Sequence, residues 1–230
     1  MIRIILKAII YNVIRPIALI YLSSERNYRY DDIHLIIKPG VFHPGFFFST
    51  KLLLKYLKDV PLEDRKFLEL GAGSGLISIY AAKKKAVVTA TDVSQIAVET
   101  TMQNAERNQL SIKVINSDLF ERIHQQIFDI IVINPPYFPE HPVDEKDYAW
   151  YCGENFEYFE KLFQQLGGYV EQHSDVIMIL SEDCRIEQIR QIALKNHWVL
   201  DIVYQKRILW EMNFILRITF KSKLNSLNPN

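Results

Sequence analysis

The residues best placed to do chemistry follow a short apolar run in the stretch IVINPPYFPEHP, residues 131–142. Asn134 stands where the run ends, Pro135 and Pro136 come next, and Tyr137 follows them. Because proline has a fixed φ and no N–H to donate to a neighbouring strand, the pattern predicts a strand that stops at a rigid loop. At the start of that loop, the Asn134 side-chain oxygen and the Pro135 carbonyl are two adjacent hydrogen-bond acceptors.

Two acceptors side by side suit a planar NH2 group as substrate. The lone pair of such a nitrogen is delocalised into a ring or a carbonyl, which makes the nitrogen a poor nucleophile. Acceptors that take both hydrogens favour the pyramidal form and direct the lone pair at a methyl donor, so positioning and polarisation supply the rate without a strong base. Asn134, Pro135 and Tyr137, whose ring can stack on a planar amide or base, are therefore the predicted catalytic residues. For the NPP triplet alone, a purely structural loop is the alternative.

A glycine-rich turn precedes this motif in the stretch FLELGAGSGLIS. Gly71, Gly73 and Gly75 lie between a predicted strand and a predicted helix, where glycine allows a tight turn and a close approach of the backbone to a ligand. The free N–H groups of the helix N-terminus lie at the same place. A dinucleotide site would need GxGxxG, but Leu76 stands at the last position, so the GxGxG spacing favours S-adenosylmethionine (SAM). A tight turn without a ligand is the alternative.

Two aspartates follow the next two predicted strands. Asp92 closes AVVTATD about 20 residues after the glycine turn, where a carboxylate commonly accepts hydrogen bonds from ribose hydroxyls. Asp118 ends SIKVINSD, so it reaches the same edge of the sheet and can accept from an adenine amino group. Either aspartate could instead cap the segment that follows it. The nearby glycine turn favours the ribose interpretation for Asp92, whereas the two interpretations of Asp118 are balanced.

Strand-like and helix-like segments alternate along most of the chain. The predicted strands lie within IHLIIKPG, RKFLEL, AVVTATD, SIKVINSD, FDIIVIN, DVIMILS, WVLDIVYQ and NFILRITF, and the predicted helices cover FFFSTKLLLKYLKDV, 75–85, 94–108, 154–166 and 187–196. This alternation predicts an α/β fold with a mostly parallel sheet covered on both faces. The last two strands are joined by the short connection KRILWEM and should form an antiparallel hairpin at one edge. Ser49 or Thr50 is the predicted cap of the first of these helices.

The chain is predicted to divide into a short extension and one domain. Residues 1–40 form an N-terminal helix and a short strand, residues 41–221 form the doubly wound domain, and residues 222–230 form a disordered tail. The segment 1–22 is apolar but is interrupted by basic residues. We favour a helix that packs on the domain or on a second subunit over one that lies on a membrane surface.

Composition and charge argue against several classes of function. Lys+Arg and Asp+Glu both number 27, so no overall basic field would attract nucleic acid. Cys152 and Cys184 have no CxxC partner and indicate neither a disulfide framework nor a zinc site, which favours the reducing cytoplasm. The six histidines show no metal-site spacing, so no metal is predicted.

The motifs LELGAGSG, ATDVS, NSDLF and NPPYFP, in this order, together resemble the HemK family of SAM-dependent methyltransferases, which methylate the side-chain amide of glutamine in release factors. YAWYCGENFEYFEKLF is similar to the family's stretch after NPPY, so the resemblance covers about residues 40–220. It implies SAM as the cofactor and a class I SAM-methyltransferase (Rossmann-like) fold with a mostly parallel, seven-stranded sheet. Carried over by position, it implies these cofactor-binding residues: Thr50, Glu69 near the methionine end, Gly71, Gly73, Gly75, Asp92, Asp118 and Asn134.

The chain also departs from the family pattern. The usual paired glycines after the acceptor loop are Cys152 and Gly153 here, and fewer than 50 residues precede the fold, where bacterial members carry a helical N-terminal domain. The layout is therefore nearer to the short branch that lacks this domain. The connection 138–153 is long for a loop between a strand and a helix, and it favours a lid that orders on substrate binding.

The favoured hypothesis is an enzyme that transfers a methyl group from SAM to a planar amide or amine nitrogen. A protein glutamine, such as that of a release factor, is favoured over nucleic acid as the acceptor. NPPY motifs also occur in enzymes that methylate exocyclic amines of adenine or guanine in RNA and DNA, which is one alternative. A non-catalytic scaffold or adaptor with the same fold is another, from a different class. The motifs specify the type of nucleophile and leave the identity of the acceptor open.

Overall fold

The computed structural model describes residues 21–209 and 211–221. Most of the predicted N-terminal helix, in residues 1–20, lies outside these ranges. The predicted tail 222–230 lies outside them too, so the proposed division of the chain stays a prediction. The strands are β1 (Arg26–Tyr30), β2 (Ile33–Ile37), β3 (Lys66–Leu70), β4 (Val87–Asp92), β5 (Lys113–Asn116), β6 (Ile130–Ile133), β7 (Asp175–Ser181), β8 (Trp198–Ile208) and β9 (Glu211–Phe220). The α-helices are α1 (Phe48–Leu57), α2 (Leu76–Lys83), α3 (Gln95–Arg107), α4 (Glu157–Gln165) and α5 (Ile186–Lys195), and short 3-10 helices cover Glu145–Ala149 and Leu166–Tyr169.

Seven of these strands form one sheet in the order β5-β4-β3-β6-β7-β9-β8. The first five in that order are parallel, and β9 is antiparallel to both β7 and β8. The predicted parallel sheet with an antiparallel C-terminal hairpin is confirmed. From β3 the chain runs outward through β4 and β5, then returns to β6 on the other side of β3. This reversal places a crevice at the carboxyl ends of β3 and β6, where ligands bind in open α/β sheets.

Apolar side chains pack on both faces of the sheet, as its β-branched runs predict. One buried cluster joins α4 and α5 to the sheet and includes Phe159 and Ile131. The other joins α1, α2 and β2 to the opposite face and includes Leu53 and Val132. Ile131 and Val132 are neighbours in β6 but belong to different clusters, because successive side chains of a strand point to opposite faces.

A two-stranded hairpin replaces the single strand predicted near the N-terminus. β1 pairs antiparallel with β2, and Asp31 adopts φ 51° in the turn between them. The side chains of β1, RNYRY, alternate in burial with a period of two. The sequence does not predict this strand, because it contains two arginines and no aliphatic residue, so no alternation of apolar and polar residues is visible. The side-chain amide of Asn104 in α3 bonds the backbone N–H of Ile36 (2.8 Å) and its carbonyl (2.9 Å). The hairpin is therefore fastened to the helix that follows Asp92.

Two further predicted boundaries are wrong. α1 begins at Phe48 without a side-chain cap, so Ser49 and Thr50 lie inside its first turn, where both are buried. The connection predicted between the last two strands is itself mostly strand, since β8 runs to Ile208 and β9 begins at Glu211. Extending the ladder pairs backbone groups that a loop would have left to water.

Within the described ranges, no helix is long and apolar enough to cross a lipid bilayer. The same residues contain no group of three or more His, Cys, Asp or Glu side chains arranged to hold a metal ion. Cys152 and Cys184 are both buried and free.

Candidate active site

A cavity of about 420 Å³ opens at the carboxyl ends of β3, β4 and β6. This volume falls in the range of pockets that enclose small ligands and cofactors. The predicted site residues that line the cavity are Thr50, Glu69, Gly71, Gly73, Asp92, Asp118, Asn134, Pro135 and Tyr137. Gly75 does not line the cavity; it lies on the side of the glycine turn that faces α3. The fold therefore brings together nearly all of the residues chosen from the sequence.

The glycine turn joins β3 to α2 and is held from behind by α3. A Cβ atom on Gly71, which has φ 75°, would meet nothing within 4 Å, so this residue presents bare backbone to the cavity. A Cβ atom on Gly75, which has φ 78°, would come within 2.9 Å of Thr101 Cγ2. The Thr101 hydroxyl in turn donates to the Gly73 carbonyl (3.1 Å). Gly71 thus allows a ligand to approach the backbone, whereas Gly75 allows the start of α2 to pack closely on α3.

Asp92 ties the glycine turn to the start of α3. One carboxylate oxygen accepts from the Gly73 N–H (2.8 Å), and the other accepts from the Ser94 N–H (2.9 Å). Ser94 is the N-cap of α3, since its side chain accepts from the Ala97 N–H (3.4 Å). The capping role considered for Asp92 therefore belongs to Ser94. Burial raises the pKa of Asp92, and the nearby negative charge of Glu145 raises it further.

Asp118 follows β5, the strand next to β4, and is paired with a lysine. Lys161 of α4 forms an ion pair with Asp118 and also donates to Glu121 (2.5 Å). The turn that carries Asp118 is fixed by the buried Ser117, whose hydroxyl donates to the Leu119 carbonyl (3.0 Å). Both Asp118 and Lys161 line the cavity. The sequence offered no signal for Lys161, because 43 residues separate the two partners.

Glu69 is a buried carboxyl group at the end of β3. One of its oxygens accepts from the backbone N–H (2.8 Å) and the hydroxyl (2.5 Å) of Ser78. Burial raises the pKa of Glu69 to about 8, in spite of the two hydrogen bonds, which favour the ionised form. The site therefore holds this carboxyl group mostly protonated near neutral pH.

We expect Glu69→Gln to flatten the dependence of stability on pH. Because the pKa of Glu69 is about 8 in the fold and 4.5 ordinarily, the folded protein binds a proton that the unfolded chain releases. The stability that this proton supplies is complete below pH 4.5 and is lost as the pH rises towards 8. Glutamine keeps an acceptor for Ser78 but has no proton to lose.

The measurement is urea unfolding of the wild type and the variant at several pH values. The free energy of unfolding of the variant, relative to wild type, should rise by roughly 3 kcal/mol between pH 5 and pH 8. Glu63→Gln serves as the control, since this glutamate is exposed and lies outside the cavity. Parallel pH curves for wild type and Glu69→Gln would show that Glu69 does not hold its proton in the fold.

The acceptor motif is organised by a hydrogen bond within it. The Tyr137 hydroxyl donates to the Asn134 side-chain oxygen at 2.9 Å, which fixes the direction of the Asn134 amide and leaves that oxygen a second lone pair. Across residues 21–209 and 211–221, no hydrogen bond reaches the Pro135 carbonyl. Burial raises the pKa of Tyr137, so the hydroxyl keeps its proton and its role as donor. The structure thus adds a function for the Tyr137 hydroxyl to the stacking predicted for its ring.

Residues 138–153, predicted as a lid, are folded over the cavity and form its outer wall. The ring of Trp150 lies 5.0 Å from that of Phe47 and 5.6 Å from that of Phe42, centroid to centroid. Earlier in the same segment, the Glu145 carboxylate accepts from the Gln95 N–H (2.6 Å) at the start of α3. The 138–153 segment therefore contacts both sides of the crevice.

The departure from paired glycines has a structural explanation. Gly153 has φ 88°, a backbone conformation that residues with a Cβ atom rarely adopt. Cys152 is buried, and its thiol donates to the Phe138 carbonyl (3.3 Å). Only the second position of the pair requires glycine in this chain, since the first supplies a side chain to the core.

Comparison with known proteins gives consistent matches. Residues 32–150 match the family model described as methyltransferase small domain. A Methanocaldococcus jannaschii protein, provisionally named protein N5-glutamine methyltransferase, is 36% identical over 157 residues, which are 65% of this chain and 76% of the relative. The release factor glutamine methyltransferase of Dictyoglomus turgidum is 32% identical over 169 residues, which are 66% of this chain and 58% of the relative. The chain thus spans less than two thirds of the latter enzyme.

Solved structures show the same fold. The E. cuniculi Mtq2–Trm112 complex, described as responsible for the methylation of the eRF1 translation termination factor, matches with a TM-score of 0.59 at 22% identity, covering 79% of this chain and 99% of that chain. The T. thermophilus 16S rRNA N2 G1207 methyltransferase RsmC, in complex with AdoMet and guanosine, matches with a TM-score of 0.57 at 17% identity, covering 84% and 50%. At these identities the likeness supports the fold alone.

Proposed function

Because the chain belongs to the methyltransferase small-domain family and uses S-adenosylmethionine as its methyl donor, we propose that it methylates the side-chain amide nitrogen of a glutamine in a protein. The observation that carries this proposal is the pair of acceptors at the cavity wall. The Asn134 side-chain oxygen is held in place by the Tyr137 hydroxyl at 2.9 Å, and the neighbouring Pro135 carbonyl belongs to the same rigid loop. A carboxamide NH2 has two hydrogens to give to these two acceptors.

The proposed roles of the acceptor residues follow from this arrangement. Asn134 and Pro135 hold the two N–H groups, which turns the nitrogen lone pair out of conjugation with the carbonyl and towards the cavity. Tyr137 prevents the Asn134 amide from rotating and supplies an aromatic surface beside the acceptor. SAM, when bound, supplies the methyl group. The leaving proton needs no strong base, because methylation makes the nitrogen acidic.

The other predicted site residues that line the cavity suit the cofactor. Gly71 presents a cradle that a Cβ atom would enter, so we assign the glycine turn to the methionine part of SAM, with Glu69 and Thr50 beside it. Asp92 is proposed to accept from the ribose hydroxyls, and Asp118 from the adenine amino group. Each of these aspartates lines the cavity at a strand end.

We predict that Tyr137→Phe lowers kcat by about tenfold and leaves the dissociation constant of SAM within about twofold of wild type. Phenylalanine keeps the ring but removes the donor that orients Asn134. Steady-state kinetics and calorimetry would measure the two effects. Tyr204→Phe is the matched control, because this tyrosine lies in β8 and does not line the cavity. An unchanged kcat in Tyr137→Phe would contradict the orienting role.

The acceptor itself is tested by following labelled methyl groups. Purified protein and methyl-labelled SAM should be incubated in parallel with release factor, ribosomal RNA and tRNA. Label in the release factor, located at a glutamine by mass spectrometry, is the expected result. Label in RNA alone would overturn the glutamine assignment, and failure of calorimetry to detect SAM binding would favour a non-catalytic scaffold.

We further propose that the protein acts in the cytoplasm. Cys152 and Cys184 are free and buried, which fits a reducing compartment. The Dictyoglomus turgidum relative is named for a release factor, a component of translation.

A further inference from the structure

Two carboxylates from distant parts of the chain meet at the start of α3. Asp92 ends β4, and Glu145 comes from the 138–153 segment. Glu145 accepts from the Gln95 N–H at 2.6 Å, while Asp92 accepts from the Ser94 N–H, the adjacent backbone donor, at 2.9 Å. Both carboxylates line the cavity.

Asp92 and Glu145 are both acidic, and like charges at close range repel; burial raises the pKa of Asp92, and the charge of Glu145 raises it further. A carboxylate oxygen that accepts one backbone N–H still has a second lone pair for another donor. A vicinal diol, which offers two O–H donors side by side, satisfies both carboxylates at once.

Glu145 is held at this position by the fold of the 138–153 segment. It begins a 3-10 helix whose first turn is closed by a capping box between Asp144 and Asp147. The segment is anchored a few residues later, where the Trp150 carbonyl accepts from the backbone N–H groups of Tyr137 (3.0 Å) and Phe138 (2.8 Å). The 3-10 helix therefore holds the Glu145 carboxylate at the cavity.

We propose that Glu145 is a second ribose-binding carboxylate, which shares the cofactor's diol with Asp92. The inference rests on the assignment of this cavity to SAM and is independent of the methyl acceptor. It gives the 138–153 segment a direct role in cofactor recognition, since this segment holds Glu145 at the cavity wall. The 138–153 segment then directly follows the acceptor loop and also contacts the bound cofactor.

The test uses ligands that lack one hydroxyl. S-adenosylhomocysteine and its 2′-deoxy and 3′-deoxy analogues would be titrated by calorimetry into wild type and Glu145→Gln. The variant keeps an acceptor for the Gln95 N–H but loses the charge that strengthens a bond to a hydroxyl. We expect the variant to bind S-adenosylhomocysteine about tenfold more weakly. For one of the two deoxy analogues, wild type and variant should bind within about twofold of each other, because the hydroxyl that Glu145 contacts is already missing.

The matched control is Glu140→Gln, an exposed glutamate of the same segment that does not line the cavity. It should bind all three ligands as wild type does. An equal loss of affinity for all three ligands in Glu145→Gln would overturn the proposal and leave Glu145 as a cap of α3, and unchanged affinities would overturn it as well. No methyl acceptor is present in the experiment, so its failure is distinguishable from failure of the proposed glutamine methylation.

Discussion

Replacing Asn134 with alanine is expected to lower kcat by about 100-fold or more, with a much smaller effect on the affinity for SAM. The substitution removes one of the two acceptors that we propose hold the substrate NH2 group, and it leaves the Tyr137 hydroxyl without the oxygen to which it donates at 2.9 Å. The nitrogen lone pair then stays conjugated and is no longer directed at the methyl group. Single-turnover kinetics with labelled SAM separate this chemical step from binding.

The control for Asn134→Ala is Asn155→Ala. Asn155 is exposed, lies outside the cavity and donates to the nearby Glu157. This variant should retain the kcat of wild type, and thermal unfolding of both variants would show that the fold is intact. If Asn134→Ala transferred methyl groups at a rate within about threefold of wild type, the proposed acceptor pair would be wrong.

The second large effect is on stability, where Gly75→Ala should lower the free energy of unfolding by about 2–4 kcal/mol. Part of this loss is the strain of a Cβ atom at φ 78°. The rest is a collision, because the new methyl group would lie 2.9 Å from Thr101 Cγ2 and 3.0 Å from its Oγ1. Thr101 cannot move aside easily, since it is fully buried, β-branched and bonded to the Gly73 carbonyl.

Gly71→Ala provides the comparison for this prediction. Gly71 has nearly the same φ, 75°, but a Cβ atom there meets nothing within 4 Å, so urea unfolding should show only the strain, about 1–2 kcal/mol. Adding Thr101→Ser to Gly75→Ala removes the colliding methyl group and keeps the hydroxyl bond, which should restore about 1 kcal/mol. Equal losses for Gly71→Ala and Gly75→Ala would contradict the collision with Thr101.

The candidate active site combines features that local sequence predicts with others that it does not. The sequence predicts the proposed acceptor residues and the glycine turn because proline restricts the backbone at its own position and glycine frees it, in any fold. The hydrogen bond between Tyr137 and Asn134 could not be read from the same motif, because it depends on the path of the loop after Pro136. The cap of α1 was wrong for a similar reason: Ser49 and Thr50 have the right chemistry, but burial in the first turn takes them away from the helix end.

The sequence by itself determined the order of strands and helices from β2 to β9, and it placed Asp92, Asp118 and Asn134 at or just after the carboxyl ends of their strands. Periodicity and turn residues act over a few positions, and parallel strands bring their carboxyl ends to one edge of the sheet.

Only the tertiary structure decided which side chains those residues meet. Asp118 pairs with Lys161 across 43 residues, Gln95 binds Glu145 across 50, and Ile36 binds Asn104 across 68. Such partners are set by the route of the chain through the sheet and by the packing of α3 and α4, and no local pattern encodes them.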